Sequence, residues 1–147
     1  MAEVEKVFED EFMEVQSGLI SLCMEFLGEN EVEKIYAYCS IEGKASSFNV
    51  FFGTNSGIKM ITDIESNMRR AMQFLRIGCH DLVKMKEVCA THEKPVPTEI
   101  KMTYDVKNGK FDAKYRYDEI CSLKTGKDHS EVFMSWINEM KKEVGQK

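Results

Sequence analysis

The segment TEIKMTYDVKNGKFDAKYRYD, residues 98–118, alternates apolar and polar side chains on both sides of Asn108-Gly109. Asn-Gly is the pair favoured by two-residue type I′ turns, because both central positions need positive φ. A turn there places Val106 opposite Phe111, Tyr104 opposite Ala113, Met102 opposite Tyr115 and Ile100 opposite Tyr117. Every apolar residue then meets an apolar partner, and a slip of one residue would send each to the wrong face. Lys101, Thr103, Asp105, Asp112, Lys114 and Arg116 fall on the other face and read as solvent-facing.

Upstream, the same period of two continues. Ile35, Ala37, Cys39 and Ile41 alternate with Tyr36, Tyr38 and Ser40 over 34–41. Phe48, Val50 and Phe52 alternate with Asn49 and Phe51 over 47–52. The turn Gly53-Thr54-Asn55-Ser56-Gly57 leads into a short third strand at 58–61. The remaining segments carry the helical period. Phe8, Phe12, Val15, Leu19, Leu22 and Phe26 recur three or four apart, which predicts an amphipathic helix over 3–27 stopped at Gly28. Thr62 and Glu65 have capping-box spacing and predict a helix from there to Thr91, with Met68, Met72, Leu75, Cys79, Leu82 and Cys89 on its buried stripe. Pro95 and Pro97 forbid its continuation. Asp128, with Glu131 three residues on, predicts the cap of a last helix that buries Val132, Phe133, Trp136, Ile137, Met140 and Val144. The order α-β-β-β-α-β-β-α, with no repeat and no linker, predicts one α+β domain over 1–147, mainly antiparallel sheet packed against helices.

Composition narrows the class. Hydrophobic residues make up 43% and charged residues 31%, which suits a chain that buries a core and argues against disorder. No stretch approaches the roughly 18 apolar residues a bilayer span needs, so no membrane role is expected. The acidic start MAEVEKVFEDEF lacks the basic and apolar regions of a signal peptide. Five scattered cysteines, Cys23, Cys39, Cys79, Cys89 and Cys121, then read as reduced thiols. The net charge of −5 argues against nucleic acid as a direct partner. That charge is concentrated at one end. Residues 1–33 hold ten acidic side chains against Lys6, a net of −9, whereas the other 114 residues hold 15 acidic and 19 basic, a net of +4.

No arrangement reads as an active site, so no enzyme, metal or cofactor is expected. Zinc ligands need short spacings such as C-x₂-C, and none is present. Cys79 and His80 are neighbours on a helix and point about 100° apart. His80, His92 and His129 read as surface or capping residues. There is no Gly-rich phosphate loop, no G-x-S-x-G elbow and no H-E-x-x-H.

Two features suggest a protein partner. The first helix has a second apolar line, Met13, Ile20, Met24 and Leu27, with Glu9, Asp10 and Ser17 beside it. Such a line is either covered inside the domain or is a contact surface whose acids would attract a basic partner. Tyr36, Tyr38 and Phe51 alternate against the apparent core positions. They form an outer aromatic patch or lie beneath a helix. The partner-binding candidates are therefore Glu9, Asp10, Met13, Ile20, Met24, Tyr36, Tyr38 and Phe51.

Four segments together resemble the YezG-like antitoxins, the immunity proteins of bacterial polymorphic toxin systems. They are VEKIYAYCSIE (32–42), SFNVFFG (47–53), the hairpin end GKFDAKYRYDE (109–119) and the Trp-bearing FMSWINEM (133–140). The resemblance implies a small cytoplasmic protein that binds and blocks a cognate toxin domain. Such toxins are commonly basic nucleases. The element order, size and acidity are also similar to the dimeric secretion chaperones of type III systems, which hold extended effector segments. A homodimer is left open.

Overall fold

The computed structural model describes residues 7–42, 45–120 and 126–145. Glu3, Glu5, Lys6 and Cys121 lie outside them. The chain runs α1 (Phe8–Leu27), β1 (Lys34–Glu42), β2 (Ala45–Thr54), β3 (Gly57–Met60), α2 (Ile61–Ile64), α3 (Met68–Thr91), β4 (Glu99–Asp105), β5 (Phe111–Arg116) and α4 (His129–Glu143). This is the expected α+β order with one four-residue helix added. The five strands form one antiparallel sheet in the order β3-β2-β1-β4-β5.

The period of two sorts the sheet's side chains into two cores. Ile35, Ala37, Cys39 and Ile41 of β1 join Phe48, Val50, Phe52, Ile100 and Met102 under α1 and α3. The opposite parity, Tyr36, Tyr38 and Phe51 with Ile58, packs against Phe133, Trp136 and Ile137 of α4. The sheet is thus the middle layer of three. Its central strand β1 is buried on both faces from Ile35 to Ile41.

The β4–β5 hairpin departs from the expected register. Ile100 pairs with Tyr115, Met102 with Ala113 and Tyr104 with Phe111. The shift is two residues, so every side chain keeps its face while the turn becomes longer. Asp105 causes it. Its carboxylate accepts from the backbone N–H groups of Lys107 (3.0 Å) and Asn108 (3.2 Å), an Asx-type closure that competes with a two-residue turn. The Asp105 N–H then donates to the Lys110 carbonyl (2.8 Å), and Gly109 takes the left-handed φ of 71° that the four-residue loop needs.

The expected capping box at Thr62 and Glu65 does not form. The Met60 N–H donates to the Asp63 carboxylate (2.8 Å) and opens α2, while Asn67 caps α3 by accepting from the Arg70 N–H (3.2 Å). Glu65 lies between them and accepts from the Asn67 N–H and the Arg70 guanidinium, which hold its carboxyl below the usual range. The buried stripe of α3 is Ala71, Phe74, Gly78, Leu82, Met85 and Cys89. Met68 and Met72, expected inside, are exposed. Gly78 sits on that stripe because the Phe48 ring occupies the space a side chain there would need. The cap of α4 is the expected one, with Asp128 accepting from the Glu131 N–H (2.8 Å). Of its predicted core, Val144 is exposed, because it follows the last helical turn.

Candidate interaction surface

α1 buries Gln16, Leu19, Ile20, Cys23, Phe26 and Leu27, with Phe8, Phe12, Val15 and Leu22 half-buried around them. Residues 19 and 20, and again 26 and 27, are adjacent in sequence. The covered arc is therefore broad and absorbs half of the second apolar line. Ile20, at 6% exposure, and Leu27 belong to the core and not to a contact surface. Gln16 is fully buried within the arc, where its carbonyl accepts from the Tyr115 hydroxyl of β5 at 2.8 Å. Met13 and Met24 remain outside at 40% exposure each. Glu9, Asp10 and Ser17 are exposed beside Met13.

This division predicts a split in mutational cost. Ile20→Ala should cost about 2–5 kcal/mol through the cavity it leaves. Met13→Ala with Met24→Ala should change stability by less than about 1 kcal/mol. Urea midpoints for the two variants check this, and equal losses would contradict the assignment.

The outward side of α1 and the loop after it are strongly charged. Residues 7–33 contain Glu9, Asp10, Glu11, Glu14, Glu25, Glu29, Glu31 and Glu33 and no basic side chain. Glu11 contacts His92, which follows the last residue of α3, and Glu33 lies 3.8 Å from Lys107 Nζ. Arg70 of α3 is the cation that reaches the C-terminal end of α1. It pairs with Glu65 at 2.7 Å, donates to the Phe26 carbonyl at 3.1 Å and stacks on the Phe26 ring. The helix dipole favours Glu9, Asp10 and Glu11 in the first turn. It disfavours Glu25 in the last turn and Glu29 just beyond it, by about 0.3–1 kcal/mol each at most. Local helix stability therefore does not account for acids at both ends. A recess of about 630 Å³ at the C-terminal end of α1 extends the face, with Met24, Leu27, Glu29, Glu31 and Val106 in its lining.

Tyr36, Tyr38 and Phe51 do not form an outer aromatic patch. They are buried because α4 crosses that face of the sheet. Tyr36 and Phe51 stack with ring centroids 4.6 Å apart, and Trp136 meets Phe51 edge-on at 5.0 Å. Burial pushes the Tyr36 phenol up from its ordinary value.

Beside these rings lies a polar group that the sequence did not announce. The Tyr38 hydroxyl donates to the buried Glu99 carboxylate at 2.9 Å, and Lys101 Nζ stands 3.8 Å from the other oxygen and 5.6 Å above the Trp136 ring. Next to it, Ser40 Oγ and His129 Nδ1 are 2.7 Å apart. A hydroxyl on an imidazole is the contact that nucleophilic catalysis uses, but Ser40 is buried in the central strand. What the contact does here is fasten the first turn of α4 to β1.

The cysteines offer no reactive group in the core. Cys23, Cys39 and Cys89 are buried and free, and burial pushes the Cys23 and Cys39 thiols far above their ordinary values. Among the described residues no three His, Cys, Asp or Glu side chains cluster as metal ligands. No helix among them is long and apolar enough to cross a membrane. Comparison of the chain with models of protein families finds no match, and comparison with curated proteins finds none either.

Proposed function

We propose that this chain is an immunity protein that binds and blocks a cognate toxin domain of basic charge, and that the outward face of α1 is the surface that meets it. One observation carries the reading. The acidic side chains of residues 7–33 project from one helix and its following loop, with no basic residue among them. Such a face raises the local concentration of a cationic partner and steers its approach. Met13 and Met24 supply adaptable apolar contact within the acidic field. The four segments that resemble YezG-like antitoxins point to the same class of partner, and with it to a cytoplasmic site of action and a bacterial source.

The chaperone reading has less support, because the aromatic face of the sheet, where an extended apolar segment could lie, is filled by α4. The direct test is to purify the toxin domain encoded next to this gene and measure binding and inhibition. A complex in which this chain suppresses the toxin's activity is expected. A neighbouring toxin that is neither bound nor inhibited would overturn the proposal.

A further inference from the structure

We propose that β5 is a self-association edge, at which two copies of this chain pair antiparallel about a two-fold axis through Ala113 and continue the sheet from one copy into the next. β5 is the last strand of the sheet. The opposite edge is the four-residue β3, which passes directly into α2, so β5 presents the longer row of open backbone groups.

The hydrogen-bond parity shows which groups are open. The Asp105 N–H bonds to the Lys110 carbonyl, which makes that pair a bonded one. Bonded and non-bonded pairs alternate in an antiparallel ladder. Asp112 and Lys114 therefore direct their backbone N–H and C=O toward β4. Phe111, Ala113 and Tyr115 direct theirs outward.

The side chains favour this axis over its neighbours. Pairing about Ala113 sets Asp112 opposite Lys114 of the second copy, twice by symmetry, on the face away from α1. It sets Phe111 opposite Tyr115 twice on the other face. Opposite charges and aromatic pairs at facing positions stabilise an antiparallel ladder, whereas like charges destabilise it. An axis through Tyr115 would instead set Lys114 against Arg116. An axis through Phe111 would leave Tyr115 without a strand residue to face. Asp112 and Lys114 are exposed, and Tyr115 is 36% exposed, so the groups are accessible in one copy. Among the facing strand residues the unfavourable encounter is Arg116 with Lys110. It is softened because Arg116 Nε already donates to the Asp118 carboxylate at 3.0 Å.

Lysine on an edge strand ordinarily guards against pairing. Here the two-fold answers each Lys114 with an Asp112. The interface involves no toxin, so its test is independent of the proposed function. Sedimentation velocity across a concentration series of the full chain should show a monomer passing to a dimer. Asp112→Lys should weaken the dimer by about tenfold or more, and Asp112→Lys with Lys114→Asp should restore it to within about threefold. Ala113→Pro removes one outward N–H without touching the bonds to β4, and should also abolish the dimer while circular dichroism reports an unchanged fold. A monomer at every concentration would overturn the proposal. So would a dimer indifferent to Asp112→Lys and to Ala113→Pro.

Discussion

Trp136→Ala is expected to destabilise the fold by about 3–5 kcal/mol, the range for truncating a large buried aromatic side chain. Trp136 is the residue on which the second core is assembled. It meets Tyr36 at 5.8 Å, Phe51 at 5.0 Å and Tyr38 at 6.3 Å, and carries Lys101 above its ring. Removing it uncovers three aromatic side chains at once and leaves a cavity that the short α4 cannot close. A urea or thermal denaturation curve reads the loss. A midpoint near that of the wild type would mean that α4 does not cover the sheet, and Tyr36, Tyr38 and Phe51 would return to the surface.

Gly78→Ala should also be costly, against the usual preference. In a helix interior alanine is ordinarily favoured over glycine by about 1 kcal/mol. At Gly78 an added Cβ would lie 2.2 Å from Phe48 Cδ2 and 2.4 Å from Cε2. β2 is held by α4 on its other face and α3 is packed along α1, so overpacking wins and a net loss of about 1–3 kcal/mol is expected. The clash is with one ring, which gives a sharp check. Phe48→Leu should rescue much of the loss in the double variant, because the two positions share one space. A Gly78→Ala protein as stable as the wild type or more so would show that α3 sits farther from the sheet.

These two positions also show where the sequence was readable and where it was not. The strands, the long helices, the cap at Asp128 and the α+β order follow from periodicity, which is local. Register is less local. A period of two cannot separate registers two residues apart, so the choice at the β4–β5 hairpin fell to the side chain of Asp105, three residues before the Asn-Gly pair.

Strand β1 misled in another way. Alternation marks a half-buried strand, whereas β1 is buried on both faces, and its Tyr36 and Tyr38 were open to reading as an outer patch. Phe133, Trp136 and Ile137 on α4 held the missing cue, since that arc also needed a surface to cover. The wheel of α1 separated Ile20 from Leu19, yet the helix is covered over an arc wide enough for both. Gly78 showed nothing until Phe48 was placed beside it. The Tyr38–Glu99 and Ser40–His129 contacts join residues 61 and 89 positions apart, and no spacing rule reaches that far. Of the interaction candidates, Glu9, Asp10, Met13 and Met24 stay at the surface, while Ile20, Tyr36, Tyr38 and Phe51 are core.

The central claim is that the acidic face of α1 meets a basic toxin domain, and the salt dependence of the association rate tests it most directly. The rate should fall by about tenfold or more between about 50 and about 300 mM salt, while dissociation changes much less. Replacing Glu9, Asp10 and Glu25 by their amides should slow association at low salt, and the rates of variant and wild type should converge at high salt. These side chains are exposed, so stability should be little changed. An association rate that stays flat with salt, or one that the three amides leave unaltered, would contradict the account.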